Sequence, residues 1–360
     1  MKLINLLMLL FIGVILLGCE EIIEQDGLTR YQEDYYNVFD TRISITVWLD
    51  DQDEDALFDE IDEILTHGHK VSTRYTAYEN IHNVTYINEH PDEIIDIDPL
   101  LTEMLALSLD IHENQSSLFN IALGEVVDVW THYRDQCTKG EKEDRVCEVP
   151  SVDELNEAAE VADPSLIELD EENNTVMIPE GMTLDLGAVA KGVVAEKVGD
   201  YLRAQDVEIF MVNAGDSNIE LEGTNPHPDR DYWSVGLKDP DNPLSRYGRI
   251  RVPSGYSAVT SGDYERFYTV DDTQYHHLIS PETLFPTFYT RTVTVISQDP
   301  GLADIYSTIA FLMPVEDAID FIDSIEDTEA IWLDTNREVR FSENFEDAYL
   351  LEILIEQYPD

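Results

Sequence analysis

Apolar and polar positions recur along this chain with two different periods. Residues 39–48 (FDTRISITVW) step by two, with Ile43, Ile45 and Val47 on one face, and predict a strand. Further strands are predicted over 209–213, 218–221, 233–238, 249–252, 257–260 and 290–297, punctuated by Gly215, Gly223, Gly236 and Gly262. Helical spacing marks 56–65, 101–112, 302–313 (stopped by Pro314) and 315–325. Asp53 is placed to cap the first of these, and Ser151 with Glu154 has the form of a capping box. Residues 167–169 with 175–178, and 330–333 with 338–341, read as hairpins, and 119–130 is apolar enough to be buried.

One stretch organises the rest. In 183–198 (TLDLGAVAKGVVAEKV) a strand end over 182–186 carries Asp185 and runs into Gly187 and Ala188. A helix then opens, with Ala190, Val193, Val194 and Val198 on one face and Lys191 in its first turn. Small residues at a helix start let a ligand approach the backbone, and free N–H groups there attract anions. The same pattern also suits plain helix packing with a solvated lysine. Helices and mostly antiparallel strands interleave without a regular βαβ period, which places the chain in the α+β class.

The N-terminus has the form of an export leader. Lys2 precedes an apolar run over 3–17, and Leu16-Leu17-Gly18-Cys19 closes it like a bacterial lipobox. Residues 1–19 are therefore expected to be a signal peptide with Cys19 lipidated, and 20–34 an acidic tether. A single domain is expected over 35–345, with a tail or helix over 346–360. The protein would then sit on the membrane, facing out of the cytoplasm. Cys137 and Cys147 could pair in that compartment or stay as free buried thiols.

Charge narrows the choice of ligand. With 21 Lys+Arg against 76 Asp+Glu, the net charge of -55 excludes nucleic acid as a partner. An anionic ligand would need a local positive centre, and a metal ion is one way to supply it. Asp304 and Thr308 lie four apart on one helix face and offer the hard oxygen ligands magnesium takes. The adjacent His276 and His277 end a strand and would point to opposite faces, leaving one as a candidate general base. Thr260 and Ser261 precede Gly262 at another strand end, where hydroxyls hold a phosphate or simply make a turn.

Taken in order, these pieces resemble the FAD:protein FMN transferase family, often called ApbE. The family's D-L-G-G-I-A-K-G-like stretch corresponds to Asp185 to Gly192, and its N-x-G-G-like strand end to Asn213 to Asp216. Its W-x-V-G-I-x-D-P, T-S-G-D-Y-E-R, H-x-I-D-P-x-T-G-x-P and A-D-x-x-x-T-A segments resemble stretches starting at Trp233, Thr260, His277 and Ala303. Phe39-Asp40-Thr41 stands in place of M-G-T, and the segment from Phe119 to Trp130 resembles F-D-I-T-x-G-P-L-V-x-x-W.

The resemblance implies an ApbE-like fold with an FAD cleft between two intimate lobes. It implies transfer of the FMN half of FAD to a Thr or Ser hydroxyl of an acceptor flavoprotein, releasing AMP, with Mg2+ as cofactor. Asp304 and Thr308, with the backbone carbonyl of Ala188, would hold the metal. His277 would be the base, with Asp304 its catalytic partner at the metal. Asp185, Lys191, Tyr75, Phe119, Asn120, Thr260, Ser261 and His277 would contact FAD. The chain departs from the pattern at Asn120, Ala188, Asp216, Ser280, Leu284 and Ile309. Two other outcomes share the same site: a metal-dependent FAD pyrophosphatase, and a non-catalytic flavin-binding lipoprotein.

Overall fold

The computed structural model describes residues 24–25, 27–50, 53–141, 145–215, 217–227, 230 and 232–355. The expected leader, Cys19 and Asp216 lie outside them.

The 39–48 alternation becomes strand β3 (Thr41–Leu49), paired antiparallel with β2 (Leu28–Val38). In β3, Ile43, Ile45 and Val47 are 2%, 0% and 0% exposed, and Ser44, Thr46 and Trp48 on the other face are 7%, 0% and 8%. A strand covered on both faces belongs to a middle layer. That layer is a nine-stranded sheet in the order β1 (Glu24–Gln25), β2, β3, β7 (Ile209–Ala214), β8 (Asn218–Glu222), β11 (Tyr256–Gly262), β14 (Thr290–Ser297), β15 (Glu329–Asp334) and β16 (Val339–Phe341). Each of its pairings is antiparallel.

Helices α1 (Glu54–Ser72), α3 (Pro99–Asn114), α6 (Ala190–Ala204), α7 (Pro300–Leu312) and α8 (Val315–Asp323) share a core with one face, around Ile45, Phe210, Val295 and Trp332. The other face packs Trp48, Leu221 and Ile331 against Trp233 and Phe345. Those two come from the small sheet β17 (Leu350–Ile353), β10 (Asn242–Val252), β9 (Trp233–Asp239) and from α9 (Phe345–Tyr349).

A side lobe holds α4 (Gly124–Thr138), α5 (Val152–Ala158) and the hairpin of β12 (Phe267–Val270) and β13 (Thr273–His276) around Trp130, Leu155 and Tyr268. A disulfide joins Cys137 and Cys147 at the end of α4. The short helix α2 (Val84–Glu89) and a three-stranded sheet of β4 (Ile95–Asp96), β6 (Thr175–Met177) and β5 (Glu168–Asp170) complete the described chain. The α+β class, the predicted hairpins and both caps hold: Asp53 accepts from the Ala56 N–H, and Ser151 from that of Glu154.

Three expectations are corrected. Residues 28–34, read as tether, belong to β2, whose polar and acidic residues hid the strand. Residues 346–353, read as a tail or helix, are helical only to Tyr349 in α9 and then pair as β17 with β10. Residues 182–186 are not a strand beyond a single bridge between Thr183 and Leu123. The hairpin of β12 and β13 was not read from the sequence; its two-residue turn, Asp271–Asp272, takes φ of 47° and 66°, as tight hairpins require.

Candidate active site

A cavity of about 560 Å³ opens where the helix-covered sheet meets the side lobe, and every site residue named from the sequence lines it. The volume is within the usual range for cofactor-sized ligands, roughly 300–1,000 Å³.

The loop between Met182 and Ala190 forms one wall. It is held by borrowed hydrogen bonds rather than by a ladder. The Asn88 side chain bonds both N–H and C=O of Leu184, at 2.8 and 3.1 Å. The Asp185 N–H donates to Ile121 O at 2.8 Å, and Gly124 N–H to Thr183 O at 2.9 Å. Asp185 is thereby fixed, and its Oδ1 accepts the Gly187 N–H at 2.8 Å. Its Oδ2 accepts from Arg74 Nη1 at 2.9 Å. The Arg74 side chain is 6% exposed, also pairs with Asp128, and lies 5.5 Å from the centre of the Tyr75 ring. Tyr75 itself is 64% exposed at the rim.

The contact of α6 with α7 supplies a second part of the lining, through Ala190, Lys191, Asp304 and Thr308. Gly192 has no side chain to hold the helices apart, and its N–H donates to Oδ2 of Asp304 at 3.0 Å. Asp304 is 6% exposed. Burial raises its pKa, and the charge of Lys191 and the Gly192 N–H oppose that rise. Thr308 Oγ1 donates to Asp304 O at 3.2 Å, which leaves its lone pairs available. Below them Ser261 Oγ bonds Ser307 Oγ at 2.9 Å, tying β11 to α7, and Thr260 Oγ1 bonds Thr294 Oγ1 at 2.8 Å.

His276 is the last residue of β13, and His277 lies in the bend after it, so the reading of both as strand residues is corrected; the two side chains meet different surroundings. His276 is 4% exposed, and both its nitrogens meet backbone groups. Burial pushes it down to about 4. His277 lines the cavity, and its buried Nδ1 has no hydrogen-bond partner. Burial first, then His276, Arg266, Lys191 and Arg134, push His277 down to about 3, so its imidazole is neutral at pH 7.

Sequence reasoning missed Arg74, Arg134 and Arg266, which join Lys191 in lining the cavity. Their signal was scarcity: a chain with 21 Lys+Arg gathers these four at one place. Asn120 lines the cavity, but its amide is engaged in structure, donating to Ala162 O at 2.9 Å and accepting from Ala122 N at 2.7 Å.

Asp304 carboxylate and Thr308 hydroxyl are hard donors, and Ala188 lies in the same lining. Among the described residues no cluster of three or more His, Cys, Asp or Glu could hold a metal. The donors therefore fit an ion that takes few protein ligands and completes its shell with substrate and water, as magnesium does. A cation beside Asp304 would also relieve its buried charge.

A model of the ApbE family matches residues 39–332. The chain belongs to the ApbE family. Over 234 residues it is 33% identical to a protein named FAD:protein FMN transferase from Klebsiella pneumoniae (strain 342), covering 63% of this chain and 67% of that one. A protein of the same name from Treponema pallidum (strain Nichols) is 29% identical over 258 residues, 68% of each chain. The crystal structure of the ApbE protein of Thermotoga maritima superposes with a TM-score of 0.75 at 25% identity, covering 88% of this chain and 98% of that one. The flavin transferase ApbE of Vibrio cholerae has the same fold, with a TM-score of 0.72 at 21% identity over 89% and 99% of the chains.

Two departures from the ApbE pattern acquire a physical meaning. Asp40 and Leu284 stand where the pattern has glycine, and both have left-handed backbone, at φ of 52° and 61°. Glycine enters that region freely; a leucine there is strained.

Proposed function

We propose that this protein is an FAD:protein FMN transferase. The observation that carries the reading is the meeting of His277, Lys191, the buried Asp304 and the half-buried Thr308 in one cavity of a chain that belongs to the ApbE family. Asp304, Thr308 and the Ala188 carbonyl would hold magnesium, which when bound neutralises charge on the transferred and leaving phosphates.

The chain's own residues do the rest. Lys191 supplies fixed positive charge toward the pyrophosphate, while at the start of α6 the Ala190 N–H is held by Leu186 O and the Gly192 N–H by Asp304. Arg134 and Arg266 add to that field in a chain otherwise strongly acidic. The acceptor hydroxyl attacks the phosphorus on the FMN side. A new P–O ester bond forms, the P–O bond to AMP breaks, and AMP leaves with the electron pair. Neutral His277 takes the hydroxyl proton. The negative substrate would offset the charges of Arg266, Lys191 and Arg134, which add to burial in lowering His277. The Tyr75 ring and the Phe119 wall offer faces for the flavin or adenine.

The acceptor is a flavoprotein presenting a Thr or Ser hydroxyl. The site of action is the outer side of the cytoplasmic membrane, with Cys19 as lipid anchor. The apolar run ending at Cys19, and the Cys137–Cys147 disulfide, support that placement.

The reading is tested with protein lacking residues 1–19, FAD, magnesium and an acceptor domain. AMP release that depends on the acceptor supports it. AMP and free FMN appearing equally without acceptor would make the protein a pyrophosphatase. FAD bound and left intact would make it a carrier.

A further inference from the structure

We propose that His276 is a positioning residue, which sets His277 relative to the Asp304–Thr308 pair. The inference rests on the transferase reading for its kinetic consequences and on geometry for its basis.

The His276 ring is fixed at both ends by backbone. Its Nε2 lies 2.7 Å from the carbonyl oxygen of Thr287, and its Nδ1 lies 3.2 Å from the N of Leu278. A backbone N–H only donates and a carbonyl only accepts. One neutral tautomer satisfies both bonds, with the proton on Nε2 and the lone pair on Nδ1. The Leu278 N–H belongs to the peptide group directly after His277. The ring that precedes His277 therefore holds the peptide that follows it, and the orientation of the intervening residue is fixed from both sides.

The other bond leads to the metal-pair helix. Thr287 Oγ1 donates to the carbonyl of Phe311 at 3.3 Å, in the last turn of α7. The Phe311 ring meets the His276 ring edge-on, with centroids 5.3 Å apart and planes at 87°. The helix that receives this contact is the one that carries Asp304 and Thr308. A continuous path thus runs from His277 through His276 and Thr287 to α7. At 4% exposure His276 leaves water little access to compete for these bonds. The lobe between its two ends is closed as well, by a bridge of Ile279 with Pro286 and by Ser280 N–H to Phe285 O at 3.0 Å.

Acid–base catalysis needs the base within hydrogen-bond reach of the proton it takes, and a misplacement of about 1 Å costs roughly 100-fold. A core histidine that only fills space would have no such effect when its volume is kept.

His276→Phe keeps an aromatic ring beside Phe311 and removes both hydrogen bonds. His276→Gln restores a donor toward Thr287 O. With FAD, magnesium and an acceptor, we expect His276→Phe to lower kcat for FMN transfer at least about tenfold while the FAD Kd stays within about twofold. Free FMN per AMP should rise, because a displaced base discriminates less against water. His276→Gln should recover part of kcat. A second readout needs no activity: with ring-labelled histidine, the His277 NMR signal should shift or broaden in His276→Phe. Unchanged kcat, or a loss of kcat that tracks FAD affinity and is not rescued by Gln, overturns the inference. So does an unchanged His277 signal, even if no acceptor is ever labelled and the transferase reading itself fails.

Discussion

The N–H of Gly192 donates to the carboxylate of Asp304 at 3.0 Å, across a helix contact too close for any side chain. A Cβ on Gly192 would lie 2.6 Å from Pro300 O and 2.8 Å from the Asp304 Cβ. The closeness of α6 and α7 brings Lys191 and Asp304 to the same cavity wall.

Gly192→Ala should therefore push the two helices apart. Overpacking of this kind costs about 1–3 kcal/mol. Both the melting temperature and FAD affinity should fall, which thermal melts and flavin titration read directly.

Asp304→Asn should separate stability from function. The substitution removes a buried charge whose pKa burial raises, and the new amide oxygen can still accept the Gly192 N–H. The ligand-free protein should melt at the same temperature or higher. Transfer should fall by about 100-fold or more, as for loss of a principal electrostatic group. Stabilisation by magnesium with FAD should vanish from the melting curve.

Leu284 offers a test of backbone strain. Its φ of 61° is costly for any residue with a Cβ, while its side chain packs against the core around Trp130. Leu284→Ala loses the packing and keeps the strain; Leu284→Gly loses the packing and relieves it. Glycine should be the more stable of the two by about 1 kcal/mol, reversing their usual order. Denaturant midpoints of the two variants decide this.

The share of stability contributed by Glu196 and Glu220 should fall as pH rises from about 4.5 to about 7, against an opposite share from the depressed His276 and His277, which favour folding more as pH rises to about 6.5. Glu196 and Glu220 are each pushed up to about 7, first by burial, with Asp299 adding to Glu196 and Arg203 opposing at Glu220. In that window these two carboxyls keep protons in the folded chain that they have released in the unfolded one, so their share of unfolding releases protons and is favoured by higher pH. Above about 7 this contribution is flat. Glu196→Gln should remove its share, so that stability changes more positively with pH between about 4.5 and 7 than in the parent protein, measured by chemical denaturation at several pH values.

The strands and helices whose period is carried by apolar residues were legible. Ile43, Ile45 and Val47 form such a strand, and the helix over Ala190–Ala204 is another. What was hidden depends on partners distant in sequence. The loop before Ala190 looks like a strand end because Leu184 and Leu186 are apolar, but Asn88 and Ile121 hold it in another form. Arg74 has no periodic signature; it acquires its role by meeting Asp185, 111 positions away. The ordered motifs identified His277, whereas its desolvated, unpartnered state exists only in the fold.

The most direct test is the intact mass of an acceptor domain after incubation with the protein, FAD and magnesium. The account predicts a gain equal to one FMN moiety on a Thr or Ser, lost in His277→Ala and in Asp304→Ala. An acceptor modified equally by the His277→Ala protein, or FAD that does not bind at all, would contradict it.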